Sequence, residues 1–212
     1  MKKQSEPLET LTEIRSMMER STRFISLNGF SGVFAGIFAL LGALAAYNYL
    51  HMSIAQPRYF DAAIISEGGS SISFYTFFFT DALLVLIASI SVAVYLTVRK
   101  SRKNGLKVWD KTAKRVLFNM LIPLVGGGLF CFLLVYHGYV GLVPPSTLIF
   151  YGLALVNTSK YTYEDIRYLG IIEIFIGLLA TFWIGFGLLF WAIGFGVIHI
   201  IYGIIMYYKY ER

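Results

Sequence analysis

Long uninterrupted apolar runs, separated by short polar or charged stretches, dominate the 212-residue chain. The runs are continuous rather than alternating, which argues against strands. In lipid a continuous apolar segment satisfies its backbone only as a helix. A helix needs roughly 20 mostly apolar residues to cross ~30 Å of hydrocarbon. Six stretches qualify, at 24–50, 74–98, 116–137, 142–158, 166–183 and 186–208. Tight turns at 139–141 and 184–185 and a longer connection over 51–73 join them in pairs. The expected fold is an all-α membrane protein, a bundle of six transmembrane helices in three hairpins. It forms one transmembrane domain over 24–208, followed by a short cytoplasmic tail, 209–212.

The segment before the first run has a different pattern. Leu8, Leu11, Ile14 and Met18 recur at helical spacing behind Pro7, which suits a first helical position. Glu19 and Arg23 stand four apart in the favourable order. Residues 1–23 therefore read as an amphipathic lead-in helix on the cytoplasmic surface. Its length and its acids, Glu6, Glu9, Glu13 and Glu19, are unlike a signal peptide, so the first run is read as an uncleaved span.

Composition narrows the class. The chain is 57% hydrophobic and 14% charged, against about 25% charged in an average soluble domain. Its mean hydropathy is +0.67. Disorder, a disulfide-stapled secreted fold and a fibrous repeat are excluded. Of the 18 basic residues, Arg58 alone falls on the opposite side of the six-span arrangement from the rest. The positive-inside rule then puts both termini in the cytoplasm. The net charge of +6 follows from this bias and is not a nucleic-acid signal. The densest basic stretch is Arg99, Lys100, Arg102, Lys103, Lys107, Lys111, Lys114 and Arg115, with Trp109 as an interfacial anchor. Asn104-Gly105 marks a turn within it. The chain is then expected to resume as a basic helix over 107–115 and to meet anionic lipid head groups, besides setting topology.

Small residues mark helix contacts, because backbones must approach closely in lipid. Gly32–Gly36, Ala39–Ala43, Gly42–Ala46 and Ala192–Gly196 have that spacing. The sequence Ile-Gly-Phe-Gly occurs at 184–187 and again at 193–196. Thr162 and Asp165 resemble a capping box, and Pro144 and Pro145 start the fourth span.

Polar groups inside a span are costly and therefore candidates for function. Glu173 and His199 are placed symmetrically about residue 186, each roughly 10–14 Å from the inner interface at 1.5 Å per residue. Two antiparallel helices would bring them to one depth. Such a pair either binds or relays a proton, or makes an interhelical hydrogen bond that fixes register; both readings stay open. Asn119 stands four residues before Pro123, whose missing N–H frees the Asn119 carbonyl. Asn28, Ser31, Ser91, Tyr95, Tyr151 and Tyr202 lie at comparable depth. Asp81 is nearer the outer face and has no metal-ligand spacing with His51, Asp61, Glu67 or His137. The intramembrane candidates are thus Glu173, His199, Asn119, Tyr151, Tyr202 and Asp81. No metal or cofactor is expected. The single cysteine, Cys131, permits no intrachain disulfide. Nucleotide-binding, zinc-hydrolase and nucleophile-elbow motifs are missing from the sequence, which points away from an enzyme.

Residues 15–27, 106–115, 119–131 and 161–170, and the ending from Phe190 to Arg212, resemble a family of uncharacterised bacterial six-span membrane proteins. The resemblance covers nearly the whole chain and implies a bacterial inner-membrane protein. The family carries no assigned activity, so it transfers no functional residue. The Gly-rich hairpins also look faintly like small acid-stress membrane proteins. The leading expectation is a non-enzymatic protein acting through a protein or lipid partner, in envelope stress or signalling, with a homo-oligomer as one form of partnership. The alternative is a small proton-coupled transporter or channel that uses the Glu173–His199 pair.

Overall fold

The computed structural model describes residues 28–50, 74–103, 105 and 108–212. The lead-in helix, the 51–73 connection and Lys107 lie outside them. Every regular element among the described residues is helical. The elements are α1 (Gly29–Tyr49), α2 (Phe74–Lys103), α3 (Lys111–Tyr136), α4 (Val143–Thr158) and α5 (Asp165–Phe182). A last helix, α6, runs through three parts: Gly187–Trp191, a π-helical Ala192–Ile198, and His199–Tyr210.

Five of these segments are long and apolar enough to cross a membrane, and α5 is the exception. Its 18 residues include Asp165, Arg167 and Glu173. The outermost helices bury very little. Phe79 on α2 is 72% exposed and Phe132 on α3 is 68% exposed, within long rows of exposed leucine, isoleucine and phenylalanine. So much apolar surface suits a lipid environment rather than water.

Local chemistry sets the helix ends. Asn28 accepts from the Phe30 N–H at 2.8 Å and Asp110 from the Ala113 N–H at 2.6 Å, capping α1 and α3. Asn28 is thus the cap of α1. The basic stretch is not one helix from Lys107: α2 continues to Lys103, and α3 begins at Lys111 behind its Asp110 cap. Thr162 and Asp165 do not form a capping box. The Thr162 hydroxyl donates to the Thr158 carbonyl at 3.4 Å, while Asp165 reaches across to α6.

Glycines decide which helices touch. A Cβ on Gly29 would lie 2.6 Å from the Gly203 carbonyl, and one on Gly36 would lie 2.5 Å from the Gly196 carbonyl, so α1 seats directly on α6. A Cβ on Gly152 would meet the Gly170 carbonyl at 2.5 Å, and one on Gly177 the Pro145 carbonyl at 2.9 Å, so α4 seats on α5. α2 packs on α1, and α3 packs on α4. The first and π-helical parts of α6 bridge to α4 and α5. α5 and α6 are joined by a short 3₁₀ turn, Ile184–Phe186, yet each packs more closely on another helix than on its neighbour in sequence.

Side chains tie the helix ends at one pole. Glu211 accepts from the Gly29 N–H at 2.6 Å and pairs with Lys100 at 3.2 Å, joining α6, α1 and α2. Asp165 accepts from Lys209 at 2.8 Å and from the Tyr210 hydroxyl at 2.6 Å, joining α5 to α6.

Candidate functional site

Three helices meet around Glu173. On α5, Asp165, Leu169 and Glu173 recur every four residues and so share one face. Glu173 is completely buried and His199 is 4% exposed. Room for the carboxyl comes from Gly194: a Cβ there would lie 2.6 Å from Glu173 Oε2 and 2.5 Å from Leu148 Cδ2. Gly194 belongs to the π-helical part of α6. Such widened turns are rare and are frequently found at functional sites.

His199 sits between two partners. Its Nε2 is 2.9 Å from the Tyr151 hydroxyl of α4. Its Nδ1 is 3.0 Å from the Gly194 carbonyl and 3.3 Å from Glu173 Oε1. One ring nitrogen carries one hydrogen, and the hydrogen-bonding geometry at Nδ1 is satisfied by Gly194. The carboxyl is therefore close to the imidazole without receiving a hydrogen bond, and neither of its oxygens has a hydrogen-bond partner. With Nδ1 as donor to a carbonyl, the neutral ring accepts at Nε2 from Tyr151; this tautomer is assigned from the bonding pattern. Phe195 stacks on the imidazole, with centroids 5.9 Å apart at 25°.

Burial sets the electrostatics. A buried, unbonded carboxylate without a counter-charge is very costly. Two arrangements avoid that cost, a protonated carboxyl beside neutral imidazole or a carboxylate beside imidazolium. They contain the same number of protons and the same zero net charge.

Tyr202, one turn beyond His199 on α6, is half-buried, and its hydroxyl is buried without a hydrogen-bond partner. It packs with Tyr151, Tyr163 and Ile198 around the apolar cluster of Leu155, Ile166 and Leu169. At the pole outside the spans, burial, with Glu211 and Tyr210 adding, pushes the Tyr163 phenol up to about 12.

The other candidates lie elsewhere. Asn119 faces α4 and not the Glu173 cluster. Its freed carbonyl accepts from Asn157 Nδ2 at 2.9 Å, and its own amide donates to the Arg115 carbonyl at 2.8 Å. Sequence reasoning missed Asn157; an amide in an apolar run, in a hairpin with a proline-freed carbonyl, was the available signal. Asn157→Leu is expected to cost about 1–3 kcal/mol by leaving that carbonyl unpaired. Pro123→Ala restores the missing N–H and should remove most of the penalty. Thermal unfolding of both single variants and the double variant checks this, and equal penalties in the two backgrounds would refute it.

Asp81 lies against Gly42 of α1, in a shallow groove of about 260 Å³ with Phe38, Leu41, Leu84, Val85 and Ala88. Ser91 and Tyr95 are exposed on α2 and line no shared cavity with Glu173. Arg99, Arg102, Lys103, Trp109, Lys111, Lys114 and Arg115 are exposed, and Lys100 is half-buried in its pair with Glu211.

Comparisons with protein-family models, with curated proteins and with solved structures each give no match to the chain.

Proposed function

We propose that this chain is a six-span protein of the bacterial inner membrane, with both termini cytoplasmic, and that it works as a small proton-coupled transporter or channel. The observation that carries the reading is the meeting of Glu173, His199 and Tyr151 from three helices, with the carboxyl fully buried and unbonded beside the imidazole. Ionisable groups at membrane depth mark ion or proton pathways by default. The π-helical part of α6 adds a backbone segment able to change register there.

Infrared difference spectroscopy of the reconstituted protein tests it. On changing pH, a buried carboxyl band should appear and disappear, and Glu173→Gln should remove that band while the fold is kept. Proton-coupled flux, once a substrate is in hand, should fall about 100-fold or more in the same variant. A band that survives in Glu173→Gln would assign proton binding to another group and end this reading.

A second reading rests on the exposed basic rim around Arg99–Lys103 and Lys111–Arg115 with Trp109 beside it. Such a rim suits anionic lipid at the cytoplasmic leaflet, worth about 1 kcal/mol per basic residue near the surface. The protein then acts through lipid, a protein partner or its own copies.

A further inference from the structure

A buried proton site needs a route to water. Between the Glu173–His199–Tyr151 cluster and the Asp165–Lys209–Tyr210 group at the pole lies an apolar layer, Leu155, Ile166 and Leu169. Asp165 is eight residues before Glu173 on α5, about 12 Å along the helix axis at 1.5 Å per residue. A direct hydrogen bond cannot cover that distance, and an apolar layer does not hold ordered water.

Tyr202 packs against this layer and carries a hydroxyl there. That hydroxyl is buried and has no hydrogen-bond partner. The Tyr202 ring packs on the layer together with Tyr151, which belongs to the buried cluster, and Tyr163, which lies toward the pole. An orphaned buried hydroxyl costs about 1–3 kcal/mol. Phenylalanine would fill the same place without that cost, so packing gives no account of the oxygen.

We propose that Tyr202 is the intermediate proton carrier between the polar group at the basic pole and the buried Glu173–His199 pair. This inference rests on the proton-binding reading above and adds the route. The route acts once the Glu173–His199 pair has given up its proton, leaving the costly carboxylate beside neutral imidazole. A proton moving inward from the Asp165–Tyr210 pair then adds to the Tyr202 phenol oxygen, and the phenol's own proton leaves toward Tyr151. Tyr151 passes its proton to His199 Nε2, and the Nδ1 proton goes to Glu173. Each phenol oxygen gains one proton and gives one up and so returns unchanged, whereas His199 gains a proton at Nε2 and gives one up at Nδ1. Glu173 is then protonated, and a flip of the imidazole ring restores the starting tautomer. Rotation of the Tyr202 side chain about its own torsions, which moves the oxygen itself, makes the two contacts in turn. The unbonded resting state keeps the route open-circuit, which a coupled protein needs in order not to leak protons.

The test follows the Glu173 carboxyl band after a pH jump, in the full chain in nanodiscs. Tyr202→Phe is compared with wild type and with Tyr208→Phe, which removes an exposed hydroxyl from the same helix. Tyr202→Phe should slow protonation of Glu173 about ten-fold or more with the final band unchanged. Tyr208→Phe should match wild type. Thermal stability of Tyr202→Phe should equal or exceed wild type, which separates a lost route from a damaged fold. A wild-type rate in Tyr202→Phe overturns the route while leaving the proton site intact. A wild-type protein with no Glu173 band at any pH removes the site and the route together.

Discussion

Replacing Gly152 with valine is expected to separate α4 from α5 and to be among the most destabilising single changes in the chain. Even the first added carbon would lie 2.5 Å from the Gly170 carbonyl and 2.9 Å from the Ile174 backbone nitrogen. Both obstacles are backbone, which cannot swing aside as a side-chain tip can. The helices must part, and in lipid no hydrophobic force rewards any other arrangement, since packing itself holds them. Overpacking costs typically 1–3 kcal/mol, and backbone against backbone belongs at the top of that range. A loss of about 3 kcal/mol lowers the unfolding midpoint by about 6–12 °C in a chain of this size. Gly126→Ala is the control, because nothing lies within 4 Å of the added carbon there. Thermal unfolding in mild detergent compares them. A Gly152→Val protein as stable as Gly126→Ala would mean that the α4–α5 seam is not glycine-dependent.

The apolar runs were legible because continuous hydrophobicity over about 20 residues leaves the backbone one solution in lipid. Their polar ends were legible only in part: Asn104-Gly105 marked a turn, but not how far the helices on either side run. α2 and α3 extend into the basic stretch because a helix keeps its hydrogen bonds beyond the hydrocarbon as long as no residue breaks them; the break falls around Gly105, which has φ 66°, and at the Asp110 cap. Asp165 looked like a cap partner because capping is local, yet it is drawn across to Lys209 and Tyr210. Helix partnership was the least legible level. Spacing identified Gly32 and Gly36 as contact residues, but it does not say that the contact is α6 rather than α2. A tight turn between α5 and α6 suggested a close hairpin, whereas the glycines that permit close approach pair α5 with α4 and α6 with α1.

The candidate site divides along the same line. Equal spacing of Glu173 and His199 about residue 186 puts them at one depth, and their side chains come within 3.3 Å. Tyr151 and Tyr202 could be assigned a depth but not a direction, since one sequence does not fix helix rotation. Asn119 shared that depth and faces Asn157 instead. The π-helical segment left no mark in the sequence apart from Gly194 and Gly196.

Glu173→Met is expected to stabilise the protein while abolishing proton binding at the cluster. His199 is already fully bonded, with Nδ1 donating to the Gly194 carbonyl and Nε2 accepting from Tyr151. Removing the carboxyl leaves no group unpaired, and it relieves two oxygens that have no hydrogen-bond partner. Beside a neutral and fully bonded imidazole, replacing an unbonded buried carboxyl with an apolar group relieves a desolvation cost of about 1–3 kcal/mol. His199→Leu should go the other way, because it strips Tyr151 of its partner and leaves the Glu173 carboxyl with no neighbouring base. Thermal unfolding of the two variants beside wild type reads the asymmetry. A Glu173→Met protein that unfolds earlier than wild type would make the carboxyl a structural group and remove the argument for a proton site. A more stable one means that folding alone would favour methionine at position 173, so what the carboxyl supplies there is chemistry at the cost of stability.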